Sequence, residues 1–177
     1  IVLRKFQPNI LMTATMTALP ETTSHLCRLE SGLVIPATAG TRTFVTQRDM
    51  FPGYFDEDFV GFGTDVPTGA TAPTPSDLYE IISDGDFRDI LGSFNIDPEP
   101  FFWRSQDQII TWLETHSRYL YSEGWATCFP LIVGEKRLFV DVDRNNCGLE
   151  THVRHFDCGI VWHAEHRSIV VLPQLGV

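Results

Sequence analysis

Residues 147 to 166, which read CGLETHVRHFDCGIVWHAEH, carry an unusual density of side chains that bind metals. Thiolates and imidazoles are the usual ligands of zinc in tetrahedral sites. The first four of these side chains follow a C-x4-H-x2-H-x2-C pattern, and an H-x2-H pair comes after it. The candidate ligands are Cys147, His152, His155, Cys158, His163 and His166.

Two interpretations of this stretch stay open. A zinc site could be structural, or it could keep an open position for catalysis. The pattern lacks the closely spaced C-x2-C pair of the usual zinc ribbons and fingers, however. We therefore favour the alternative, in which Cys158 is a small core residue at the start of a strand and the four histidines are polar residues at strand ends and turns along one edge of a sheet.

A second candidate site is the stretch LFVDVDRN, in which Asp141 and Asp143 stand two residues apart. On a predicted strand this spacing places both carboxylates on the same face. Such a pair can hold a divalent cation, as in metal-dependent hydrolases and nucleases. The following Arg-Asn-Asn is typical of a turn, so the simpler interpretation is a solvent-facing pair at a strand end.

The charge of the chain is concentrated in its central third. Residues 51 to 100 contain eleven acids and one base, whereas the rest of the chain is balanced, and the net charge is -10. A surface of this sign disfavours nucleic acid as a partner and favours a basic protein. The predicted partner-binding residues are Asp56, Glu57, Asp58, Asp84, Asp86, Asp89 and Trp162.

Length and composition favour a soluble protein with its own core. The 177 residues are 43% apolar and 20% charged, and no apolar run is long enough to span a membrane. Residues 1 to 24 do not form a good secretory signal, although their lack of acids is faintly typical of an organelle transit segment. We expect an intracellular, most simply cytoplasmic, protein with no membrane contact and with reduced cysteines.

The chain is predicted to consist of three stretches. Residues 1–64 form an irregular N-terminal part with short strands and an aromatic loop, and residues 65–77 form a loop rich in Pro and Thr. Residues 78–177 form an α+β core. The whole is predicted to be a single domain, with helices followed by an antiparallel sheet of about four to six strands.

The elements of the core follow from local signals. Thr74, Pro75 and Asp77 predict a helix start, and a short helix ends at Gly92. The clearest helix begins at Ser105, with the spacing of a capping box. Two hairpins follow, one turning at Gly134 and the other over HAEHR, with a strand from Cys158 to Trp162 before that turn.

The C-terminal stretches WATCFPLIVGEKRLFVDVD and GIVWHAEHRSIVVLP resemble the tail of the SUKH superfamily, which includes bacterial immunity proteins. The likeness covers about fifty residues at the C-terminus and rests on short patterns of residue types. The positions that carry it are Pro130, Asp141, Asp143, Trp162, His163 and Glu165. The resemblance implies an α+β interaction domain that binds a partner through one face and has no catalytic residues.

The predicted function is therefore a non-enzymatic interaction module whose acidic surface docks or neutralises a basic protein. No cofactor is expected unless the zinc or divalent-cation interpretation holds. The alternative is a metal-dependent hydrolase or nuclease-like enzyme that uses the Asp pair or the histidines. A further alternative is a subunit of a larger assembly such as a virion, which exposed Phe51, Tyr54 and Phe55 would favour.

Overall fold

The computed structural model describes residues 19–120 and 125–174. Most of the transit-like N-terminal stretch therefore lies outside the described residues. The strands are β1 Leu26–Ile35, β2 Tyr54–Phe55, β3 Thr74–Ile81, β4 Thr127–Val133, β5 Lys136–Asn145, β6 Gly148–His155 and β7 Ile169–Pro173. The helices are α1 Asp58–Gly61, α2 Phe87–Gly92 and α3 Gln106–Thr115.

The seven strands form one mixed sheet in the order β1-β3-β7-β4-β5-β6-β2. The β2–β6 and β4–β7 pairs are parallel and the other pairs are antiparallel. The α+β class is thus confirmed, but the predicted sheet of four to six strands is too small. The predicted order is also wrong, because β1, β2 and β3 precede α2 and α3 in the chain.

The predicted helix that starts near Thr74 is strand β3. Its Thr-Pro-x-Asp sequence is typical of a helix start, but β3 is paired on both sides, with β1 and with β7. Leu78 belongs to the core on one face of the sheet, while Tyr79 and Ile81 belong to the core on the other. Because β3 is buried on both faces, its apolar residues 78, 79 and 81 do not alternate with polar ones, and their spacing resembles the apolar stripe of a helix.

The first predicted hairpin is confirmed and the second is not. Strands β4 and β5 turn at Gly134, whose φ of +60° suits a primed turn that glycine adopts easily. The strand predicted from Cys158 to Trp162 is a loop instead. The strand before it is β6, which contains the residues that sequence patterns assigned to a connecting segment.

The sheet carries an apolar core on each face. On one side α3 and the aromatic residues of the 44–59 stretch pack against the sheet, with Trp112 and Phe129 in contact at 5.2 Å between ring centroids. On the other side α2 packs through Phe87 onto Phe139 of β5, with ring centroids 4.2 Å apart. The central strands are therefore covered on both faces.

Helix α3 begins where the sequence predicts, but the predicted capping box does not form. Ser105 occupies the N-cap position without a side-chain cap bond. The next three residues, Gln106, Asp107 and Gln108, are buried and bond to other parts of the chain, including Thr74 at the start of β3. Gln106 Oε1 accepts from Phe44 N at 3.1 Å, for example. No helix in the described part of the chain is long and apolar enough to cross a membrane.

Candidate functional site

The loop after β3 and the loop between β6 and β7 are joined in a clasp. Gly85 N donates to Trp162 O at 3.1 Å, and Trp162 N donates to Gly85 O at 2.8 Å. The Trp162 ring lies half-buried beneath, with its centroid 5.4 Å from that of Phe87 and 5.7 Å from that of Phe139. We call residues 82–89 and 157–166 together the clasp surface.

Acidic side chains are fixed in place at the clasp. Asp84 accepts a hydrogen bond from Ala164 N at 2.8 Å and lies 3.0 Å from His163 Nδ1. The Ala164 amide and then the His163 side chain hold the pKa of Asp84 below its usual value. This carboxylate is therefore charged at neutral pH.

The first turn of α2 adds two more acids to the same place. Asp86 is the N-cap of the helix and accepts from Arg88 N at 2.9 Å and Asp89 N at 3.0 Å. The Arg88 guanidinium, together with the Asp89 amide, lowers the pKa of Asp86. Asp89 itself lies exposed in that first turn. The structure thus brings together four of the predicted partner-binding residues, at positions 84, 86, 89 and 162.

Exposed aliphatic side chains share this surface with the acids. Ile82 is 44% exposed, Ile160 38% and Val161 51%. Sequence patterns do not identify Ile160 and Val161 as surface residues, because they predict a strand there that packs on the core. Their one visible signal is the preceding Gly159, which has a φ of +69° and turns the chain outward.

The other predicted acids, Asp56, Glu57 and Asp58, lie elsewhere. They follow β2 at one edge of the sheet, and four strands separate β2 from β3. The Asp56 carboxylate accepts from Val153 N at 3.3 Å and so bonds to the edge of β6, while Glu57 pairs with Arg48. The single acidic contact region expected from the sequence is therefore divided in two.

The predicted Asp pair lies within a polar cluster on β5 and β6. Asp141 is opposite His152 in the sheet register, and Arg154 Nε lies 3.8 Å from Asp141 Oδ1. Neither of these two buried atoms has a hydrogen-bond partner among the described residues. Burial raises the pKa of Asp141 to about 6, against the opposing effects of His152 and Arg154. Burial also raises the pKa of Asp143, with help from Glu150.

The register of β6 separates the candidate zinc ligands. His152 and His155 are three residues apart on a strand and so point to opposite faces. His152 stacks on Tyr54 and His155 contacts Phe62 edge-on, at 4.9 and 4.8 Å between ring centroids.

The two cysteines of the pattern are also apart, and Cys158 is exposed in a loop rather than buried at the start of a strand. Cys147 precedes β6 and Cys158 follows it, and eight residues of strand span roughly 26 Å. His163 and His166 lie on the clasp surface with ring centroids 5.8 Å apart. Within residues 19–120 and 125–174, no three His, Cys, Asp or Glu side chains form a group that could hold a metal ion. The zinc site and the Asp-based cation site are therefore not found there.

The aromatic loop offers little exposed surface for a larger assembly. Phe51 and Phe55 are buried in the core, whereas Tyr54 is exposed and stacks on His152.

Sequence patterns do not identify Arg154 as a residue of the polar cluster, because no local signal shows that it lies near Asp141 on the adjacent strand.

Comparison of the chain with protein-family models, with curated proteins and with solved structures finds no match. The resemblance to the SUKH superfamily therefore stays a prediction.

Proposed function

We propose that this chain is a non-enzymatic interaction module that binds a basic protein through its clasp surface. The observation that carries the proposal is the Gly85–Trp162 pairing, which fixes the exposed Ile160 and Val161 among charged acids. Asp84, Asp89, Asp157 and Glu165 supply the negative charge, whereas Asp86 is paired with Arg88.

This arrangement has the composition of a protein-binding surface. Such surfaces combine an apolar centre with a polar rim, and their charges steer a complementary partner during encounter. Both loops are already held by backbone hydrogen bonds, so binding does not have to order them. A partner with Lys or Arg around a small apolar patch would complement the charge and the apolar residues together.

The predicted resemblance to the SUKH superfamily agrees with this proposal, because it implies an interaction domain that binds a partner through one face. Trp162, His163 and Glu165 are three of the positions that carry the resemblance. In this chain those three residues belong to the clasp surface.

Two synthetic peptides of equal length test the proposal. One has Lys and Arg around Leu and Phe, and the other has Glu in place of each basic residue. We expect the basic peptide to bind, with an affinity that falls as salt rises, and the acidic peptide not to bind. Isothermal titration calorimetry at low and high salt measures both.

Matched variants locate the contact. Asp84→Asn, Asp86→Asn and Asp89→Asn together remove three charges, and Asn still caps α2. Glu57→Gln, Asp58→Asn and Asp65→Asn remove the same charge far from the clasp. The first triple variant should weaken binding by about tenfold or more and the second far less. An equal loss of affinity in both variants would contradict a specific site, because it would show only general electrostatic attraction between the chain and the peptide.

A further inference from the structure

A groove lies between the loop that follows α1 and the tip of the β4–β5 hairpin. Its volume is about 730 Å³, which is in the range of small-molecule sites. Phe62, Val66, Pro67, Ile132 and Val133 give it apolar walls. None of the described residues that line the groove belongs to the clasp surface.

The groove contains Lys136, which makes hydrogen bonds but no ion pair with the described residues. Lys136 Nζ donates to the carbonyl oxygens of Gly61 at 3.3 Å and Phe62 at 3.2 Å, and lies 5.8 Å from the centroid of the Phe62 ring. Among the ion pairs of residues 19–120 and 125–174, none includes Lys136. Two neutral carbonyls orient the ammonium group without neutralising its charge.

The remaining charges of the groove are nearly matched. Arg104 lines it and donates to Glu99 at 2.8 Å, and Glu99 also accepts from Arg137 at 2.8 Å. Glu135 is the acid among the lining residues. The groove and its immediate ion pairs thus carry three cations and two carboxylates, in a chain whose net charge is -10.

We propose that this groove binds a small aromatic carboxylate. The ring of the ligand would lie between the hairpin tip and the Phe62 loop, and its carboxylate would accept a charge-assisted hydrogen bond from Lys136 Nζ. The aliphatic walls and the Phe62 ring supply apolar contact for the flat body of the ligand. This site is independent of the proposed protein-binding function.

The lysine content of the chain makes the site easy to observe. Lys5 and Lys136 are the two lysines of the whole sequence, so protein labelled with carbon-13 at the lysine ε position gives two signals. The probes are 1-naphthoate and its neutral analogue 1-naphthamide. We expect naphthoate to shift the Lys136 signal in a saturable way and naphthamide to bind at least about tenfold more weakly. Lys5 serves as the internal reference for non-specific contact with the anion.

Paired variants test the charge and the place. Lys136→Arg should keep naphthoate binding, whereas Lys136→Gln should lower its affinity about tenfold. Because Val66 is 60% exposed, its substitution leaves the core intact. Val66→Asp should weaken naphthoate binding more than the neutral Val66→Asn. Affinities of the Gln and Asp variants equal to that of the unmodified chain, measured by naphthoate fluorescence, overturn the proposal, as does equal binding of the acid and the amide.

Discussion

Gly85 and Trp162 exchange a pair of backbone hydrogen bonds, of 3.1 and 2.8 Å, between two loops that are distant in sequence. The pairing is an isolated bridge rather than part of a strand. It makes Trp162 the anchor of an exposed loop, because the indole packs on Phe87 and Phe139 below. The position of Ile160 and Val161 at the surface depends on that anchor.

Trp162→Ala should therefore affect both stability and the surface. Loss of a half-buried indole should lower the free energy of unfolding by about 2 kcal/mol. Urea unfolding followed by circular dichroism measures this loss, and peptide titration of the folded variant measures binding. Trp162→Phe keeps most of the ring contacts and should recover much of the stability. A Trp162→Ala variant with unchanged stability and binding would show that the indole does not anchor the loop.

The buried carboxylate of Asp107 should be a main support of the irregular N-terminal part. It accepts from Arg42 Nε at 2.6 Å and from Thr41 N at 3.1 Å. Asp107→Ala leaves both donors without this partner and should cost about 2 kcal/mol of stability. Thermal or urea unfolding measures the change.

The matched control is Glu57→Ala, which breaks the exposed pair with Arg48. Exposed pairs contribute little, so this change should cost less than about 0.5 kcal/mol. Similar costs for the two variants would show that burial of Asp107 adds nothing.

The pKa of Asp141 predicts a specific pH dependence of stability. Burial raises this pKa to about 6 in the folded chain, above the ordinary value of about 3.9 for an unfolded Asp. The unfolded chain therefore releases this proton at lower pH than the folded chain does. The contribution of Asp141 to stability is fully present below about pH 4 and is lost as the pH rises to about 6.

Asp141→Asn should remove that loss. We expect the variant to gain about 2 kcal/mol relative to the unmodified chain between pH 4 and pH 7, because the folded and unfolded pKa values of Asp141 differ by about two units. Urea unfolding of both proteins across this pH range gives the difference between their free energies of unfolding. The effects of titratable groups that both proteins share cancel in this difference. A difference that does not change with pH would contradict the raised pKa.

Gly134 in the β4–β5 hairpin turn should tolerate replacement poorly. Its φ of +60° is costly for residues with a Cβ, although the space around it is open. Gly134→Ala should lower the free energy of unfolding by about 1 kcal/mol. Gly92→Ala, in helix α2 and also in open space, is the control and should be neutral or slightly stabilising. A Gly134→Ala variant as stable as the Gly92→Ala variant would contradict the role of the turn.

Local signals were enough for some elements and not for others. The hairpin at Gly134, the helix ending at Gly92 and the start of α3 at residue 105 follow from turn and boundary residues alone, and all are confirmed. Strand β3 has the local signals of a helix start, and it is a strand because it pairs with β1 and β7, which come from distant parts of the chain. Burial on both faces removes the alternation that identifies a strand.

The candidate sites also combine features that follow from local sequence with features that do not. The sequence by itself determined the residue types, the concentration of acids in the central third and the shared face of Asp141 and Asp143 on β5. Only the tertiary structure decided which of these residues meet. It placed Cys147 and Cys158 at opposite ends of β6, separated the acids into two groups and joined Gly85 to Trp162. Spacing along a chain fixes the face of one strand, whereas sheet order and loop pairing fix the distances between elements.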